Sequence, residues 1–138
     1  NAIVRKKSSV MSEKGVADFS SQQIKFADAM CGADSAAEIL RFAAAEFLAI
    51  PTKEGRVPTD LERSRCRALA TFAGNLAMDA ARLVWDLSGA NSVLNSSQLG
   101  SLYTDLLVAN QHFTQNRDPN FKSFGRTLYG LPLDNITL

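Results

Sequence analysis

Between Phe26 and Leu87 the apolar residues return at alternating steps of four and three, and that spacing restricts the chain to packed α-helices. A start signal precedes it. Ser20 stands as N-cap, Gln23 three residues on is its capping-box partner, and Phe19 with Ile24 is placed as a hydrophobic staple. From there Phe26, Met30, Ala33, Ala37, Leu40, Ala44 and Phe47 form one stripe, while Lys25, Asp28, Asp34, Glu38 and Arg41 take other faces. The spacing predicts a helix that ends before Pro51 and has an alanine-rich seam open to close approach by a partner helix. Gly32 within it marks a bend or a close contact.

A second capping box, Thr59 with Glu62, opens a helix whose stripe is Leu69, Ala73, Leu76, Ala80, Leu83 and Leu87, closed near Ser88 by Gly89. Ser96 or Ser97 caps a third, with Leu99, Leu102, Tyr103, Leu106, Ala109, Asn110 and Phe113 as its buried stripe. Asp118 before Pro119 starts a short fourth helix over 119–129, ended by Gly130, with Phe121, Phe124 and Leu128 as its apolar side. Nothing alternates with period two, so no sheet is expected. The fold class is all-α: an antiparallel bundle of three long helices plus a short C-terminal one. Residues 1–19 are a polar lead-in, with Ala2 to Val4 as the end of an earlier helix, and residues 20–138 are the bundle domain. The chain reads as if cut into from a longer protein. Three long helices look under-packed, so self-association through the open seam is expected.

Fifteen Lys and Arg balance 14 Asp and Glu, which removes nucleic acid and anionic membranes as partners favoured by net charge. Arg5-Lys6-Lys7 and the run Arg63, Arg65, Arg67 read as solvated faces. Arg63 and Arg67 share one face and Arg65 points elsewhere. Cys31 and Cys66 lack metal-ligand spacing and one histidine cannot complete a zinc set, so both read as free, reduced, buried thiols and no metal is expected. The apolar run 42–50 is broken by Glu46 and is too short for a bilayer. Without a secretory signal, the default location is the cytoplasm. Trp85 and the eight phenylalanines read as core.

One residue suits chemistry near neutral pH. His112 is the sole histidine and lies at the end of the third helical segment. Ser101, Asp105, Val108 and His112 share roughly one helix face, but seven residues separate Asp105 from His112, about 10 Å along the axis. They are not an acid/base dyad. By pattern alone a histidine there is a dipole partner or a surface residue. No nucleophile elbow, Walker loop, dinucleotide fingerprint or EF-hand loop is present.

Three strings carry a resemblance: Val84-Trp-Asp-Leu-Ser-Gly-Ala-Asn-Ser-Val93, the Asp105-x6-His112 helix closing on Asn110-Gln-His112, and Gly125-Arg-Thr-Leu-Tyr-Gly-Leu131. With them, residues 20–131 resemble the C-terminal domain of the acyl-CoA dehydrogenase superfamily, and most closely its flavin-dependent, two-component monooxygenase branch. The resemblance implies a four-helix bundle that builds a tetramer core and closes one side of a flavin pocket. It further implies reduced FAD or FMN with O2 as the chemistry, aromatic or heteroaromatic substrates, and a separate flavin reductase as electron source. His112 would be catalytic, either steadying oxygenated flavin or deprotonating a phenol, and an imidazole suits both. A chain without the other domains would not retain flavin or be active alone. Ser101 and Thr104 stand where the family usually has arginines, and Gln98 where it has proline. The rival readings are an acyl-CoA dehydrogenase domain, whose Tyr-Glu-Gly-Thr element has no match between Phe113 and Leu138, and a non-catalytic oligomerisation module.

Overall fold

The computed structural model describes residues 18–89 and 98–134. They form helices α1 (Ser20–Ala49), α2 (Asp60–Ser88), α3 (Gln98–Asn110) and α4 (Arg117–Leu128), with a π-helical turn at Ile50–Glu54 and a 3₁₀ turn at Phe113–Gln115. The described residues contain no strand. The helical remnant expected at Ala2–Val4 and the caps Ser96 and Ser97 lie outside them.

Local signals decide the ends of α2. Thr59 takes an extended conformation and accepts the Glu62 N–H through its side chain, while the Glu62 carboxylate accepts the Thr59 N–H in return. Arg56 grips the same carboxylate through two nitrogens, at 2.8 and 2.6 Å. Gly89, with φ 63°, stops the helix where a residue with a Cβ would be strained. At the far end of the chain Gly130 (φ 72°) does the same for α4, and Leu131 N–H closes back on Arg126 O at 2.9 Å.

The first capping box does not form. Phe19 itself is the extended N-cap residue, Ser20 is already helical, and no side chain caps the end. The expected staple is open too, with Ile24 69% exposed. At α4 the helix begins two residues before Pro119, with Asn116 as N-cap, so the proline occupies the first turn, where its missing N–H costs nothing.

α2 is the centre of the molecule. α1 runs antiparallel along one side of it: Gly32 lies against Leu76 and Ala80, Ala43 against Cys66, and Glu46 against Arg65. The buried residues of α1 are Ala29, Ala36 and Ala43, spaced by sevens, and Ala73, Ala80 and Leu87 repeat the spacing on α2. A Cβ on Gly32 would sit 3.3 Å from that of Ala80, so the glycine marks a close contact. This seam is turned away from the expected stripe. Phe26, Ala37 and Phe47 are half-buried, but Met30, Ala33, Leu40 and Ala44 are exposed. Small side chains let the backbones approach, and the larger ones are left on the flank.

A second track lies along another side of α2, made from two pieces end to end. α3 runs antiparallel to the C-terminal half, with Tyr103 stacked on Trp85 at 4.6 Å between centroids. α4 continues in the same direction along the N-terminal half, with Ser64 facing Thr127 and Thr71 facing Asn120. The 3₁₀ turn joins them at the middle of α2.

Several expected core residues are not core. On α3, Leu99, Tyr103, Leu106 and Asn110 are half-buried, whereas Leu102 and Ala109, and Phe113 in the turn beyond, are exposed, because α2 is the main packing partner of α3. On α4 the buried residues are Asn120 and Ser123; Phe121 and Phe124 are half-buried and Leu128 is exposed. Trp85 is half-buried, and no described phenylalanine is buried. Cys31 and Cys66 are both free, as expected, but Cys31 is exposed and Cys66 only half-buried.

Candidate functional site

The break between α3 and α4 places His112. α3 ends at Asn110, so His112 leaves the helix and becomes the extended N-cap of the 3₁₀ turn, with φ −61° and ψ 140°. Its ring does the capping: Nδ1 accepts the Thr114 N–H at 3.3 Å and lies 2.8 Å from Thr114 Oγ1. The imidazole is exposed and tilts over the Phe113 ring at 4.6 Å. Ser101, Asp105 and Val108 are exposed on α3.

The turn is anchored to α2 at two levels. Asn120, 2% exposed, donates from Nδ2 to Thr71 Oγ1 at 2.7 Å and to Thr114 O at 2.8 Å, which ties α4, α2 and the turn through one carboxamide. Ser64 and Thr127 hydroxyls meet at 2.8 Å one turn pair away. Near the α3 end, Gln115 lies over Gly74: a Cβ there would meet Gln115 Oε1 at 2.7 Å and Asn110 Oδ1 at 3.3 Å. Only a residue with no side chain lets both amides reach the α2 backbone. Gln115 Oε1 and Ser123 Oγ are buried there without partners, so the track is polar but not fully satisfied. The sequence singles out His112 as a candidate and gives no sign of Thr71, Thr114 or Asn120, because the bond that joins Asn120 to Thr71 spans 49 residues and leaves no local pattern.

Thr114 and Gln115 also line a cavity of about 320 Å3, with Phe47, Arg63, Cys66 and Arg67 on its other walls. Arg63 and Arg67 share that face as their spacing requires, and Arg65 turns to the other side, where it lies 5.4 Å from the Phe42 ring centre. Arg63 pairs with Asp60. Partial burial raises the Cys66 thiol above its usual range against the opposing pull of Arg67 and Arg65, so it stays protonated at neutral pH. A second pocket, about 180 Å3, is lined by Glu46, Glu54 and Glu62 together with Arg65, and each carboxylate is paired with an arginine. The larger cavity is at the small end of the range for ligand pockets and is open. The described residues bring no three metal-ligating side chains together, and none of their helices is long and apolar enough to cross a membrane.

Residues 1–117 match the family model for the acyl-CoA dehydrogenase C-terminal domain. Two solved structures share the fold. The HsaA monooxygenase from M.tuberculosis superposes with a TM-score of 0.76 at 20% identity, over 88% of this chain and 31% of its own. The 3-HSA hydroxylase from Rhodococcus sp. RHA1 does so with a TM-score of 0.80 at 21% identity, over 89% of this chain and 32% of its own. The chain therefore spans about a third of the length of either protein. No curated protein sequence matches.

Proposed function

Since the chain belongs to the acyl-CoA dehydrogenase C-terminal domain family, we propose that it supplies the helical wall of a flavin-dependent monooxygenase, with His112 facing the reacting groups. Reduced FAD or FMN and O2 supply the chemistry when the flavin is bound. The substrate is aromatic or heteroaromatic, and a separate flavin reductase delivers the electrons in the cytoplasm. The flavin is enclosed by other domains or by neighbouring copies. His112 would hold a polar atom of the bound reactants, and the Asn120–Thr71–Thr114 bonds keep its turn in place.

The observation that carries this reading is the placement of the sole histidine. It projects from a turn pinned to the middle of α2, and its ring has no hydrogen-bond partner beyond that turn among the described residues. The exposed apolar flank of α1, with Met30 45%, Leu40 45% and Leu48 60% exposed, supports assembly into a homo-oligomer, a tetramer by the family's pattern. A non-catalytic oligomerisation module is the second reading, favoured by Ser101 and Thr104 where the family usually carries arginines.

The ratio of hydroxylated product to hydrogen peroxide, measured on the assembled enzyme with reduced flavin, O2 and a panel of phenols, separates the two. His112→Ala should lower that ratio by roughly 10²-fold or more, the scale of losing one catalytic group. An unchanged ratio removes His112 from the reaction, and an assembly that takes up no flavin leaves the oligomerisation module.

A further inference from the structure

His112 has two ring nitrogens, and the turn treats them differently. A backbone N–H can only donate, and that of Thr114 points at Nδ1 from 3.3 Å. Nδ1 must therefore present a lone pair. In the neutral ring the proton then sits on Nε2, because one nitrogen donates and the other accepts. The Thr114 hydroxyl, 2.8 Å from the same Nδ1, is free to turn its proton toward it. With the opposite tautomer, an Nδ1–H would confront the Thr114 N–H, donor against donor. Rotation of Thr114 away from this arrangement is opposed by Asn120, which holds the Thr114 carbonyl at 2.8 Å and is itself buried and tied to Thr71. Nε2, by contrast, has no partner among the described residues.

We propose that Thr114 is a positioning residue that fixes neutral His112 as the Nε2–H tautomer, so that the ring meets its ligand as a hydrogen-bond donor to an oxygen and not as a base. A ring in this state has no lone pair at Nε2 to receive a proton. Of the two roles open to an imidazole at such a site, the geometry selects donation. The acceptor it suits is an oxygen that carries or develops negative charge, such as a phenolate or carboxylate. The functional side of this inference rests on His112 facing the reactants; the tautomer itself does not.

The full chain has one histidine, so ¹⁵N-histidine labelling gives one pair of ring resonances. With the ring neutral, the wild type should show Nδ1 unprotonated and Nε2 protonated. The hydroxyl can donate to Nδ1 or accept from it, so the group that selects the tautomer is the Thr114 N–H. Thr114→Val, which deletes the hydroxyl and keeps the N–H, should leave the Nε2–H tautomer in place, whereas Thr114→Pro, which deletes the N–H, should shift the ratio toward Nδ1–H by roughly three- to tenfold, the size of one net hydrogen bond. An Nδ1–H tautomer in the wild type, or an identical ratio in the wild type and Thr114→Pro, overturns the proposal. In the assembled enzyme Thr114→Pro should lower the product-to-peroxide ratio in the same direction as His112→Ala and Thr114→Val should not. If His112→Ala is without effect while the tautomer shifts as expected, the monooxygenase role falls and the lock stands.

Discussion

α2 meets its two neighbours by opposite means. Toward α1 it presents Ala73, Ala80 and Leu87 to Ala29, Gly32, Ala36 and Ala43, a dry seam of small side chains. Toward the α3–α4 track it presents Ser64 and Thr71 to Thr127, Asn120 and Thr114, a seam of hydrogen bonds. Apolar contact is non-directional and tolerates sliding and rotation. Hydrogen bonds fix distance and angle and penalise every unpaired group. The dry seam therefore sets how close two rods lie, and the polar one sets where a particular turn stops. The exposed histidine is on the track that needs the second property.

The largest expected effect comes from filling the dry seam. Ala36→Leu, 3% exposed in the wild type, should cost about 3 kcal/mol, at the upper end for overpacking, and lower the urea midpoint accordingly. On the polar side, Asn120→Ala should cost about 2 kcal/mol by leaving the Thr71 hydroxyl without its donor and the Thr114 carbonyl with only the 3.5 Å bond from that hydroxyl. It should also change the His112 ring resonances, which Ala36→Leu should leave in place in the folded fraction.

Smaller again is the bond between Ser64 and Thr127. A double-mutant cycle of Ser64→Ala with Thr127→Val should give a coupling of about 1 kcal/mol.

The smallest effect lies outside both seams. The Arg56 guanidinium, with the Thr59 N–H and hydroxyl behind it, lowers the Glu62 carboxyl from 4.5 to about 2. Because the folded value is the depressed one, this contribution is complete above about pH 4.5 and is lost as pH falls toward 2. The α2 N-terminus should loosen in that window in the wild type, seen as loss of amide protection at residues 60–63. Glu62→Gln should flatten the pH dependence there without moving His112.

The two seams were also unequally legible in the sequence. The Thr59–Glu62 box, Gly89 and Gly130 are local signals, and each holds in the structure. The Ser20–Gln23 box has the same spelling and fails, because the chain turns into the helix one residue earlier. Periodicity found α1 and α2 but pointed α1 the wrong way. Its apolar residues cover more than one face, and the eye follows Met30 and Leu40 where packing follows Ala29, Ala36 and Ala43. The polar seam was not readable at all. Asn120 and Ser123 sit among Phe121, Phe124 and Leu128, whose pattern implied the opposite face, and the partner of Asn120 lies on a different helix.

The account depends on the hydrogen-bonded track, and not the alanine seam, holding the turn that carries His112. The direct test compares the ¹⁵N and ¹H ring resonances of His112 in Asn120→Ala with those in an α1 seam variant of equal stability cost, such as Ala36→Val tuned against it by urea midpoint. The resonances should move in Asn120→Ala and coincide with wild type in the seam variant. Ring resonances unchanged in Asn120→Ala, or displaced equally in both, would contradict it.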